Sequence, residues 1–366
     1  MGCGDVITTD TTLYHDLVDC PDNGLLIGAD HVTLDLNGHL IDGDNAHVED
    51  CPVDTACDIG ISDGEPLGHT GVTIKDGRVT QFGAGVALFR ATRDRVLDIE
   101  TFRNEVSGIG VGDSRGTRLR RDSARANGLG TPDTAGIVVV GSRHSVVAHN
   151  ETVANGGVGL FVGGSRDSRF TANRSVRNPK AGLVFEGSAE DTIAHNHSAH
   201  DGDGIFLSGD RNELRDNSVR AAIGCGPRCR IFGIHFEGDG ISFQGGNRNL
   251  IAGNTVRGAK RTTIRVGYAT GSAADNVVRR NRVHGAGEDG IEVDPEARHT
   301  VLARNHAFDA GDDGLDVRSR RTLLTGNAAR ANKDLGIEAA AGVRDGGGNR
   351  ASGNGDPRQC TNVSCS

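Results

Sequence analysis

The sequence predicts an all-β chain, a right-handed parallel β-helix solenoid of about twelve coils in a single domain. Three observations carry the prediction. An asparagine recurs at a near-constant interval, short strands show two-residue apolar alternation, and the composition suits stacked coils better than a globular core.

The recurring string is Asn-x-x-x-x-Asn, at Asn150 and Asn155, Asn173 and Asn178, and Asn327 and Asn332. Asn196, Asn217, Asn254, Asn281 and Asn305 hold its first position in other repeats. The interval is usually 21 to 24 residues and stretches to 37 between Asn217 and Asn254, which predicts an inserted loop there. In a solenoid such positions superimpose, so the side-chain amides bond one another and the turn backbone. These asparagines are read as structural, and most glycines as suppliers of turn conformations.

The strand of each repeat reads Gly-apolar-x-apolar, as in Gly136-Ile137-Val138-Val139, Gly204-Ile205-Phe206-Leu207 and Gly314-Leu315-Asp316-Val317. A second strand ends in the asparagine, and a short third stretch follows. A period of two means strands, and no segment keeps a helical period. Glycine reaches 55 of 366 residues, about twice the usual share. Tryptophan is absent and tyrosine appears twice, so a core must come from stacked Val, Ile and Leu.

The net charge of −9 argues against a nucleic-acid partner, which rewards a basic face. No apolar run is long enough to span a bilayer, which argues against a membrane partner. No leader is visible, and Met1-Gly2-Cys3 reads as a mature domain given a new initiator. Eight cysteines fall into four local sets: Cys3 with Cys20, Cys51 with Cys57, Cys225 with Cys229 and Cys360 with Cys365. Disulfides and a secreted, extracellular protein are expected, in preference to a metal site, because no Cys-x-x-Cys pair is present.

The stretch Val32-Thr33-Leu34-Asp35-Leu36-Asn37-Gly38-His39-Leu40-Ile41-Asp42-Gly43, with the repeat that follows, resembles the right-handed parallel β-helix repeat superfamily of pectate-lyase-like secreted proteins. The resemblance covers nearly the whole chain and implies the fold. It implies a range of activities: polysaccharide lyases, glycoside hydrolases, uronate epimerases and proteins without assigned activity. On this reading residues 1–43 form an N-terminal cap and first coil, 44–58 and 221–237 are loop insertions, and 340–366 form a C-terminal cap or tail within one domain.

A packed solenoid leaves only its outer faces for a ligand. Both insertions fall at the turn leading into the Gly-apolar-x-apolar strand, where they suggest walls beside a groove. The outward x column of that strand runs Ser62, Ala87, Gly110, Val138, Phe161, Val184, Phe206, Ser242, Arg265, Glu292, Asp316, Glu338. Its apolar block, including Phe161 and Phe206 as substrate-binding candidates, is a sugar-stacking floor, a subunit interface or a stretch covered by the 221–237 loop.

Its charged block places Glu292 and Asp316 about one strand spacing apart, roughly 5 Å. Like charges that close raise one pKa, and a neutral acid beside a carboxylate suits general acid catalysis on a glycosidic oxygen. Arg265 would orient the pair or bind an acidic sugar. Asp294 and Arg318, two residues further along, face the same way, and with Glu338 they are read as substrate-binding. Asp203, Asp239, Asp289 and Asp313 share the turn before the strand. Turn chemistry is the first reading there, and calcium at Asp289 and Asp313 the alternative. No cofactor is otherwise called for.

The leading expectation is a secreted polysaccharide-degrading enzyme, with hydrolysis slightly ahead. The first alternative is β-elimination on a uronate polymer. The resemblance implies a Lys or Arg base for that chemistry, and Lys260 and Arg265 are the candidates. Asp294-Pro295-Glu296 is similar to a uronate-epimerase motif, but the histidine of that motif is missing and no tyrosine is suitably placed. His149, His195 and His197 are weaker candidates for a metal. The rival class is a non-catalytic carbohydrate-binding or surface protein, with Glu292 and Asp316 held in ordinary salt bridges by residues such as Arg265 and Arg318.

Overall fold

Alternation of inward Ile, Val and Leu with outward residues builds short strands that stack in parallel from coil to coil. The computed structural model describes residues 1–45, 58–64, 68–130, 133–226, 229–231, 234–267 and 273–366. No helix occurs among them. The coils fall into two units, Met1–Pro179 and Lys180–Ser366. Each is a parallel β-solenoid, with about 14 turns in all rather than about twelve.

In the first unit, strands Leu25–Ile27, Ile59–Asp63, Ala84–Phe89, Ser107–Gly112, Ala135–Val140 and Val158–Gly163 pair in sequence along one sheet. The predicted register holds: Ser62 lies beside Ala87, then Gly110, Val138 and Phe161. Asn104, Asn127, Asn155 and Asn178 form a ladder, each Nδ2 donating to the next Oδ1 at 2.9 to 3.1 Å.

In the second unit the corresponding sheet contains Ala181–Ala189, Asp203–Asp210, Ile241–Asn247, Ile264–Val266, Ile291–Val293, Leu315–Val317 and Ile337–Ala339. Its asparagine ladder runs Asn196, Asn217, Asn254, Asn281, Asn305, Asn327, Asn349. The residue before each ladder asparagine commonly sits at positive φ without being glycine, as at His195, Asp216 and Arg280.

Glycine is demanded elsewhere, for a different reason. A Cβ on Gly290 would lie 2.4 Å from the Gly314 carbonyl oxygen of the next coil, and one on Gly314 would lie 2.6 Å from that of Gly336. Close stacking, not turn conformation, therefore selects glycine at the head of the site strand.

The 37-residue interval is filled by residues between Ser218–Arg220 and Ile241–Asn247. It includes an antiparallel pair, Arg230–Ile231 with Ile234–His235, and the Cys225–Cys229 disulfide. Phe236 from this insertion meets Phe206 edge-on at 6.0 Å between ring centroids, and both rings are fully buried. The expectation that Phe206 binds substrate is corrected here: the insertion covers its ring. Phe161 is also buried.

Cys3–Cys20 and Cys360–Cys365 are bonded as predicted, and no described cysteine is free. Cys51, Cys57 and most of the 44–58 insertion lie outside the described residues.

Candidate functional site

The site lies in the second unit, on four consecutive strands. Ile264, Val266, Ile291, Val293, Leu315 and Val317 point into the solenoid and are fully buried. The residues between them must therefore face out. Pairing sets Arg265 beside Glu292, Glu292 beside Asp316, and Asp316 beside Glu338.

Arg265 is the centre of an ion-pair network. Its Nε lies 3.0 Å from Asp294 Oδ2 and 3.3 Å from Glu292 Oε2, and its NH1 lies 3.2 Å from Glu237 Oε2. Burial disfavours its charge, but Asp294 and Glu292 outweigh that and hold the guanidinium above its ordinary pKa. Arg318 is the second hub, with NH1 2.9 Å from Glu292 Oε1 and Nε 2.7 Å from Asp316 Oδ2. Arg261 pairs with Glu237 and with Glu288. Thr262 Oγ1 donates to Glu292 Oε2 at 3.3 Å. Glu292 is thus gripped from two sides and is 2% exposed. Burial pushes its carboxyl above the usual range, against the pull of Arg265 and Arg318.

The aspartates of the preceding turn form their own ladder, in which each carboxylate accepts backbone N–H groups from the next coil. Asp203 accepts from Gly238 and Asp239, Asp239 from Thr262, Asp289 from Asp313, and Asp313 from Leu335. The sequence predicts local Asp-Gly turn chemistry, whereas these bonds run from coil to coil. Burial nevertheless lifts Asp289 to about 7, with repulsion from Asp316 and Glu292 adding to it. Burial lifts Asp313 to about 8, reinforced by a hydrogen bond shared with Glu338 and by repulsion from Asp289. Asp316 is also raised by burial, with Arg318 opposing.

Beside these groups lies a cleft of about 590 Å³ whose lining includes Asp289, Asp312, Asp313, Asp316, Arg318, Glu338, Thr361 and Asn362. Carboxylate oxygens of Asp313, Asp316 and Glu338 all lie within 4.8 Å of one another, as do those of Asp312, Asp313 and Asp334. Of the two aspartates named for calcium, Asp313 joins these groups and Asp289 joins neither.

The structure therefore gathers most of the expected residues but divides them. Asp316, Arg318, Glu338, Asp313 and Asp289 line the cleft. Arg265, Glu292 and Asp294 form a buried network that reaches it through Arg318. Lys260 stands apart: its side chain is exposed, its stem lies against Gly224 and Gly238, and its backbone N–H donates to Ala222.

Sequence reasoning missed Glu237, Asp334 and the C-terminal Thr361 and Asn362, whereas Asp312 stands beside Asp313 in the acidic turn the sequence singles out. Glu237 belongs to the insertion, where no repeat gives a register. The one available signal was that a near-buried Arg265 needs more than one carboxylate.

Two family models match. Residues 67–230 match one described as periplasmic copper-binding protein (NosD), and residues 227–357 match one described as right handed beta helix region. The second match and the parallel β-solenoid of each unit are consistent with the right-handed β-helix superfamily. A search of curated proteins finds no match.

Among solved structures, the chain is similar to PfbA, a surface adhesin of Streptococcus pneumoniae, at 9% identity over 86% of this chain and 83% of that one, with a TM-score of 0.54. It is similar to the catalytic domain of a GH87 alpha-1,3-glucanase in complex with nigerose, at 13% identity over 89% of this chain and 63% of that one, with a TM-score of 0.53. DFA-IIIase from Arthrobacter chlorophenolicus A6 in complex with GF2 aligns at 16% identity over 78% and 67%, with a TM-score of 0.49. With PfbA and the glucanase the shared property is the fold.

Among the described residues no ligand group fits copper. Among the described residues, the three-residue groups that converge on a point are all carboxylates at positions 312–338, outside the matched span, and no histidine or cysteine joins them. Copper is selected by imidazole and sulfur donors, whereas oxygen sets suit calcium, magnesium or manganese.

Proposed function

We propose that the chain is an extracellular or periplasmic glycan-cleaving enzyme that hydrolyses a glycosidic bond in the cleft beside Asp316. The observation that supports this most is the convergence of Asp313, Asp316 and Glu338 within 4.8 Å, with Asp313 neutral at pH 7. A neutral carboxylic acid beside a carboxylate held by an arginine is the equipment of acid-assisted glycoside hydrolysis.

In this reading Asp313 protonates the leaving oxygen as the glycosidic C–O bond breaks, and Glu338 shares its proton. Asp316, held by Arg318, bonds to the anomeric carbon. Water then displaces Asp316 and gives its proton to the Asp313–Glu338 pair. The short gap falls on the retaining side of the two known geometries, about 5 Å against 6.5 Å or more. Glu292, Asp294 and Arg265 act as positioning residues behind Arg318. The many carboxylates of the cleft favour a neutral sugar at the point of cleavage. The glucanase shows that glycan chemistry is carried on this fold.

Elimination is less well supported. Arg265 sits among three carboxylates that favour its charged form, the opposite of what a base needs. Lys260 is out on the exposed turn. A non-catalytic reading draws on one specific observation: Glu292 and Asp316 are both in ion pairs. In that case alanine at either position leaves glycan binding intact.

A panel of neutral and uronic-acid polysaccharides, with and without calcium, separates the three readings. Reducing ends without unsaturated-uronate absorbance support hydrolysis, and both signals together mean elimination. Neither signal across the panel overturns the enzyme reading.

A further inference from the structure

The third strand of each coil in the second unit carries a feature that the cleft does not use. These strands include Ser218–Arg220, Thr255–Arg257, Arg282–His284, His306–Phe308, Ala328–Arg330 and Arg350–Ser352. Their middle residues, among them Val219, Val256, Val283 and Ala307, are buried in the core. The flanking residues face out in two columns. Pairing sets Arg220, Arg257, His284, Phe308 and Arg330 in one, and Thr255, Arg282, His306, Ala328 and Arg350 in the other.

No outward position on these strands is Asp or Glu, although the chain as a whole carries −9. Acids enter only at flanking turns, as at Asp216 and Asp309. Arg220, Arg257, Arg282, Arg330 and Arg350 are exposed, and none makes an ion pair with a described residue. The third strands of the first unit differ. There Arg125 pairs with Glu100 and Arg174 with Glu151, each from a neighbouring coil.

A shallow cleft of about 320 Å³ opens in the middle of the basic face, lined by Thr255, Arg257, Arg282, Val283, His284 and Phe308. Phe308 stacks with His306 at 6.1 Å and lies 5.9 Å below the Arg282 guanidinium.

We propose that this face binds an anionic polysaccharide, one bearing a carboxylate or sulfate on successive sugars. Guanidinium groups match such anions as planar forks. Coils repeat about every 4.8 Å, comparable to the length of one sugar in an extended chain, and each of these strands but His306–Phe308 carries an outward arginine. Phe308 with its stacked neighbours offers a flat platform for a ring face. Duplex nucleic acid is a poorer fit because its denser charge, one phosphate per about 1.7 Å of axis, rewards a wider field of cations than these strands offer. A lipid surface is poorer because Phe308 is the only large apolar outward residue on these strands. The inference does not depend on the catalytic reading: this face would tether the protein to an acidic matrix whether or not the cleft cleaves a glycan.

The test is binding of the full chain to polygalacturonate, neutral dextran, duplex DNA and phosphatidylserine vesicles at low and high salt. Polygalacturonate binding that weakens with salt is expected, with dextran unbound. The double variant Arg257→Ser/Arg282→Ser should bind polygalacturonate about tenfold more weakly or less, with a shallower salt dependence. Arg174→Ser, at an arginine paired with Glu151, should bind like the parent.

The proposal is overturned if the parent prefers polygalacturonate no more than dextran, or if the double variant binds unchanged. Binding of DNA or vesicles as tight as that of polygalacturonate overturns the choice of partner. No readout uses cleavage, so an inactive protein tests the proposal equally well.

Discussion

Arg265 shows how one residue's burial sets the roles of its neighbours. It emerges between Ile264 and Val266, both fully buried, and satisfies its charge with Glu237, Glu292 and Asp294. Removing it strips the central cation from three carboxylates and leaves only Arg261 beside Glu237 and Arg318 beside Glu292 and Asp294. Arg265→Met should therefore cost about 3–5 kcal/mol in urea unfolding, far more than an exposed pair would. A loss below about 1 kcal/mol would mean the network is solvated. Phe206 makes the opposite point, since its outward register does not make it accessible. Phe206→Ala should lower stability by about 3–5 kcal/mol and show no selective loss of glycan binding at matched folded fraction. The alternation of apolar and charged residues revealed which way Phe206 points. Its covering by the 221–237 loop was one of the readings the sequence allowed, and Phe236 is a ring that does it.

At the scale of elements, what was legible is what repeats. A period of two placed Arg265, Glu292, Asp316 and Glu338 in one column, and the pairing reproduces that order. The asparagine interval predicted the ladder, including its passage from Asn217 to Asn254 across the insertion. The ladder amides are buried, so a gap strands donors and acceptors on both sides. Asn281→Ala removes bonds to Asn254, Asn305 and the Ile251 carbonyl. It should cost about 1–3 kcal/mol for each group left unsatisfied, read by denaturant unfolding. An unchanged midpoint would mean water replaces the amide at no cost. Within the 221–237 insertion the apolar cover was legible and Glu237 was not, because it has no counterpart in other coils. The glycine at the head of the site strand was read as a turn former, whereas its reason lies one coil away, in the Gly314 carbonyl over Gly290.

At the scale of the whole molecule, several carboxyls are more easily protonated folded than unfolded. Burial is the first cause at Asp58, lifted to about 6, at Asp203 and Asp289, lifted to about 7, and at Asp313, lifted to about 8. Unfolded aspartate titrates near 3.9, so between about pH 4 and pH 8 the folded chain holds protons that the unfolded chain releases. That stability is complete below the unfolded value and is lost as pH rises through 6 to 8. Asp16, Asp35 and Asp98 have lowered values and withdraw their support only at more acidic pH. The melting temperature should therefore be higher at pH 5 than at pH 8, and a scan that rises from pH 5 to pH 8 would contradict the burial of these acids.

The central claim is that neutral Asp313 and arginine-held Asp316 are the working pair. The most direct measurement is the rate of reducing-end release by Asp313→Asn and Asp316→Asn on whichever polysaccharide the parent cleaves, with melting curves to confirm folding. Each folded variant should lose about 10²–10⁴-fold in rate. Parental rates in both would contradict the assignment.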